Sequence, residues 1–177
     1  MKLLFSKRNM TWFVPVLLGF ATVILVSVLY SRTHPIISAR ILYEAKMLSV
    51  DPIQYNELQT LDILLFKHTL TAEQWQRYKG YALGSDLVFK RQTAKHLCGT
   101  RGYRYEQEAL TLTKTLVTDA DPSTRANALF SLSKFADPSW KENAQQLLAD
   151  PSPAPRKMAA LLLDRERKKL DKERKKL

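Results

Sequence analysis

Apolar positions along the chain follow two regimes. From Trp12 to Tyr30 the sequence reads WFVPVLLGFATVILVSVLY, and the 23 residues between Arg8 and Arg32 carry no formal charge. At about 1.5 Å per residue a helix of that length crosses the roughly 30 Å hydrocarbon core of a bilayer, so a transmembrane helix is expected over 10–32. Pro15 sits in its first turn, where a missing amide donor matters least, and Trp12 and Tyr30 bracket it as interfacial anchors. Beyond Arg32 apolar residues recur near a period of 3.6, and no segment alternates with period two for long enough to read as a strand. The spacing predicts a helix over about 36–49, with Ile37, Ile41, Tyr43, Ala45 and Leu48 available for burial, and a second over 52–68 with Leu58, Leu61, Leu64 and Leu65. Thr71 and Gln74 read as a capping box that opens a third helix through Trp75, Tyr78 and Ala82. A fourth follows over 86–98, closed by Gly99 as a left-handed cap, and a fifth over 104–118 carries Tyr105, Ala109, Leu112 and Leu116 on one stripe. The expected fold class is all-α.

Punctuation between the helices repeats. Four Asp-Pro pairs occur, at Asp51-Pro52, Asp121-Pro122, Asp137-Pro138 and Asp150-Pro151. Aspartate accepts from the free amides at a helix start and complements its dipole, while proline fits the first helical position, so each pair tends to end one helix and begin another. Arg125, Ala128 and Leu132 recur 31 residues later as Arg156, Ala159 and Leu163, and a fixed interval near 30 is what a helical-hairpin repeat produces.

The elements Asp121, Pro122, Arg125, Ala128, Leu132, then Asp137, Pro138, Leu147, Leu148, then Asp150, Pro151, Arg156, Ala159, Leu163 resemble the HEAT-like repeat family, including the short version named for phycobilisome lyases. Thr124 stands where that family commonly has valine, and an extra residue intervenes at 154–155. The resemblance implies a short α-solenoid over 119–163, whose hairpins bury their apolar faces only by stacking. The expected organisation is a basic amino-terminal segment (1–9), the membrane helix (10–32), a helical region (33–118), the repeats (119–163) and a basic extension (164–177).

Charge adds a preference in partners. With 28 Lys+Arg against 17 Asp+Glu the net charge is +11, which favours anionic surfaces. Lys90, Arg91, Lys95, Arg101 and Arg104 fall within fifteen residues with no acid among them and Phe89, Tyr103 and Tyr105 interleaved. The tail repeats every seven residues as DRERKKL and DKERKKL, placing Lys168, Lys169, Lys175 and Lys176 on a solvated helix of charge +4. Both segments are candidate contacts for an anion or a partner. A basic head of Lys2, Lys7 and Arg8 also fits a cleaved secretory signal, but the apolar run is too long and Val28 to Arg32 offers no small-x-small cleavage site. Basic residues nearly balance across the span; the short head favours an amino end in the cytoplasm of a bacterial inner membrane and a helical domain outside it.

Candidate chemistry is sparse. His34, His68 and His96 have no second histidine at i+4, and the sole cysteine, Cys98, reads as a half-buried residue at a helix end. No catalytic, metal or cofactor constellation is expected. The leading expectation is a non-enzymatic, membrane-anchored repeat scaffold that binds a partner protein in a membrane-associated complex. The alternative is a cytoplasm-facing tether for RNA, ribosomes or anionic lipid through 90–104 and 164–177, since nucleic acid is reachable only from that side.

Overall fold

The computed structural model describes residues 38–176, which form eight α-helices and one 3-10 turn and, among themselves, no strand. The expected basic segment 1–9 and membrane helix 10–32 lie outside the described residues. Among the described residues no helix is long and apolar enough to cross a membrane. The chain divides into two units at Leu42 and Tyr43. Of the first, residues 38–42 are described: they open α1 (Ala39–Leu48), where the Ser38 hydroxyl accepts the Ile41 amide at 3.3 Å.

The second unit holds α2 (Pro52–Phe66), α3 (Ala72–Leu83), α4 (Leu87–His96), the 3-10 turn (Leu97–Thr100), α5 (Glu106–Leu116), α6 (Pro122–Leu132), α7 (Trp140–Leu147) and α8 (Pro153–Arg174). The even-numbered helices form a row in which α2 meets α4, α4 meets α6 and α6 meets α8, while α3, α5 and α7 each pack against the row helix that follows. The row is built in register. Asp51, Asp86 and Asp121, at intervals of 35 residues, each cap a row helix by accepting its first amides. Leu58, Thr93 and Ala128 follow at the same interval and Ala159 at 31, and none of the four has any exposed surface. The hairpin order expected over 119–163 therefore extends back to Asp51.

Small buried side chains let the row helices approach, and larger ones fill the remaining space. Leu129 and Leu132 on α6 are fully buried, as are Ala94 and Leu97 one interval earlier. The return helices add an aromatic cluster: Trp75 on α3 stacks on Tyr105 at 5.0 Å between centroids and donates its indole N–H to Glu108 of α5 at 2.9 Å. The capping box at Thr71 and Gln74 is present in both directions, at 3.2 and 2.9 Å.

Some details differ from the sequence expectations. Of the face assigned to α1, Ala45 is fully buried and Ile41 half-buried, but Tyr43 is 67% and Leu48 42% exposed. Gly99 is not a left-handed cap: it lies within the buried 3-10 turn, where an added Cβ would come 2.9 Å from the Phe66 ring. Among the described residues the left-handed positions are instead Ser49, His68 and Gly102. Asp137 and Asp150 do not start helices directly. Asp137 accepts from the Ser139 amide in a turn and α7 begins at Trp140; Asp150 accepts from Ser152, and a second proline, Pro153, opens α8.

Candidate partner-docking surface

Helix-to-helix ion pairs give the row its electrostatic pattern. On α4, Arg91 donates from Nε and Nη2 to the two carboxylate oxygens of Asp121, at 2.9 and 2.6 Å. On α6, Arg125 makes the same fork to Asp150, at 2.8 Å twice. Its Nη1 also reaches the carbonyls of Asp119 and Ala120, at 2.8 and 2.9 Å. Each arginine thus ties its own helix to the turn that opens the next, and two parallel N–H donors fix the geometry as well as the charge. The Arg91 fork, with the amide and hydroxyl of Thr124, holds the Asp121 carboxyl well below the usual carboxylate range despite burial. Arg125, chiefly by its hydrogen bonds, lowers the Asp150 carboxyl as well.

Arg156 on α8 repeats half of this pattern. Its Nη1 donates to the carbonyls of Asp150 and Pro151 at 2.7 and 2.9 Å, as Arg125 does one layer earlier, and its charge helps to lower the Asp150 carboxyl, but it makes no ion pair or fork with a carboxylate among the described residues.

The segment 90–104 is split by the fold. Lys90 pairs with Asp119 at 3.2 Å and Arg91 with Asp121, so both are engaged between layers. Arg104 donates to the Leu70 carbonyl and lies 4.8 Å over the Tyr105 ring. Lys95 and Arg101 are exposed and make no ion pair among the described residues. The tail continues α8 as far as Arg174; Lys168 pairs with Asp164 at 2.6 Å, while Lys169 on the helix and Lys175 and Lys176 in the turn beyond it are exposed. The two segments are not brought together as one surface by any described contact.

Asp121, Pro122, Arg125, Ala128 and Leu132 all lie at the α6 layer contact; Asp137 takes Lys114 at 2.7 Å, linking α5 to the α7 turn. Pro138 lies in that turn and Pro151 in the turn before α8, and Ala159 is buried.

A buried polar cluster escaped the sequence reading. Asp62 on α2 accepts from Tyr78 at Oδ1 and from Gln92 at Oδ2, each at 2.7 Å, and His96 Nδ1 lies 2.9 Å from the same Oδ2. Burial, then the carboxylate, pushes the Tyr78 phenol up. The four residues come from three helices, and nothing in their local spacing announces the cluster. His68 Nε2 donates to the Gly99 carbonyl at 3.0 Å and its ring stacks on Tyr103, and the half-buried Cys98 directs its thiol to the Lys95 carbonyl. Among the described residues no three His, Cys, Asp or Glu side chains gather as metal ligands would.

The comparison with protein families agrees with the layer pattern: residues 109–175 match the family model for HEAT repeats. No curated protein and no solved structure matches the chain. Over the matched residues, from within α5 to the end of α8, the chain is similar to HEAT repeats.

Proposed function

We propose that this protein is a membrane-anchored scaffold whose stacked hairpins dock a partner protein, without chemistry of their own. The observation that carries the reading is the layered row of helices tied by Arg91–Asp121 and Arg125–Asp150, a rigid frame of the kind that HEAT repeats generally offer to other proteins. The uncharged run from Trp12 to Tyr30 supports the anchor, and the 31-residue recurrence supports the short repeat type named for phycobilisome lyases, a name that implies no activity here. Anchorage would raise the local concentration of the docked complex.

Crosslinking in membranes, comparing the intact chain with one ending at Asp164, tests the scaffold reading. A partner crosslinked equally by both forms supports docking on the stack; loss of every partner on truncation moves the contact to the tail. Carbonate extraction and a phosphatase fusion after Leu177 test the anchor and its orientation, with the domain expected outside the cytoplasm. The tether alternative draws its support from the exposed tail lysines, since Lys90, Arg91 and Arg104 are engaged internally. Polyanion binding that falls steeply with salt would favour it.

A further inference from the structure

We propose that the outward edge of α8 around Arg156 seats the acidic amino end of a helix from a partner protein, continuing the row by one layer. The proposal rests on the scaffold reading and names its contact point.

Two layers set the rule. Arg91 and Arg125 each present the Nε and Nη2 edge of the guanidinium to an aspartate in the turn that opens the next row helix. Asp121 there is itself a helix cap. Arg156 is the third arginine in this series. Its Nη1 is already fixed by the carbonyls of Asp150 and Pro151, which mirrors the hold of Asp119 and Ala120 on Arg125. The opposite edge, which in Arg125 takes Asp150, meets no acceptor among the described residues. A guanidinium held in place by two carbonyls loses little rotamer freedom when a carboxylate arrives, so the fork is prepared for an anion of carboxylate geometry.

The apolar surroundings fit the same reading. Ala160 stands in α8 where fully buried Leu129 stands in α6, and it is exposed; next to it Leu161 is 44% exposed. Lys157 adds a positive charge beside Arg156, and the first acid along the helix, Asp164, is taken by Arg167 and Lys168. A helix beginning with aspartate or glutamate complements this edge in charge and places its own first turn over Ala160 and Leu161.

The probe is a fluorescein-labelled, hydrocarbon-stapled peptide of residues 119–133, the capped helix start that Arg91 holds within the chain. Anisotropy is measured with the full-length protein in detergent micelles, for the native chain, Arg156→Gln and Arg167→Gln, each against the peptide and its Asp121→Asn form. Arg156→Gln and the peptide's Asp121→Asn are each expected to weaken binding about tenfold, and the two together no further, because one fork is lost in either case. Arg167→Gln should stay within about twofold. Arg156→Lys keeps the charge but loses the fork and should also weaken binding; far-UV circular dichroism reports whether α8 is intact. Binding that ignores Arg156→Gln, additive losses in the double change, or no binding overturns the proposal. So does sedimentation showing that a second copy of the chain occupies this edge. Membrane crosslinking of a partner that persists in Arg156→Gln would overturn this location while leaving the scaffold reading intact.

Discussion

Arg125 carries more of the structure than its surface position suggests. It makes four hydrogen bonds, two to a buried carboxylate and two to carbonyls of its own helix start. Arg125→Ala removes the guanidinium paired with the enclosed Asp150 carboxylate and leaves only the more distant charge of Arg156, so a loss of about 2 kcal/mol is expected in urea unfolding, discounted from a fully buried pair because the arginine is partly solvated. Arg77→Ala, at an exposed pair with Glu57 and Glu73, should leave the midpoint where it is. An equal response from both would refute the layer role of Arg125. Gly99 offers a second residue-scale test. Its backbone accepts alanine, but the new Cβ meets Phe66 at 2.9 Å and buried Leu65 at 3.2 Å. The exposed Phe66 ring can swing aside whereas Leu65 cannot, so Gly99→Ala should cost about 1 kcal/mol. The sequence reading reached Arg125 through its recurrence at Arg156, yet not its partner. Asp150 lies 25 positions away and Asp121 lies 30 from Arg91, so unequal intervals hide the ladder.

Element boundaries were legible where local chemistry alone decides them. The Thr71–Gln74 box satisfies two amides that α3 would otherwise leave open, and Thr71→Ala is expected to lower stability by about 1 kcal/mol, read as a shifted denaturant midpoint. An unchanged midpoint would mean that packing of Trp75 and Tyr78, and not the cap, sets where α3 begins. Asp51 and Asp121 were readable as helix starts because proline follows each. Asp86 does the same work with leucine after it, so the 35-residue interval of capped helices from Asp51 to Asp121 was not legible from the Asp-Pro pairs alone. Asp137 shows the converse: proline follows, but Lys114 and Ser139 claim the carboxylate in a turn and α7 starts later. On α1 only Ala45 is fully buried while Tyr43 and Leu48 stay exposed, because periodicity reports which residues could be buried together, not whether a neighbour covers them.

At the scale of the molecule, the carboxylates of Asp121, Asp137 and Asp150 join different layers and share one pH dependence. Arg91, Lys114 and Arg125 respectively hold each below its ordinary value, Asp137 down to about 2. Carboxylates depressed by folding stabilise fully above their unfolded value, near 4, and the contribution is lost as pH falls through the folded value. The thermal midpoint should therefore be nearly level from pH 7 to about 5 and drop below about 4. Asp121→Asn with Asp150→Asn should flatten that acid limb, and a limb that keeps its slope would show that other groups govern it. One further consequence lies in the even interval between Asp51, Asp86 and Asp121. Excising residues 87–121 would join Asp86 directly to Pro122, recreating the same junction found at Asp51-Pro52. The span of this protein is thus a countable quantity, open to lengthening or shortening by whole modules while each seam stays chemically the same.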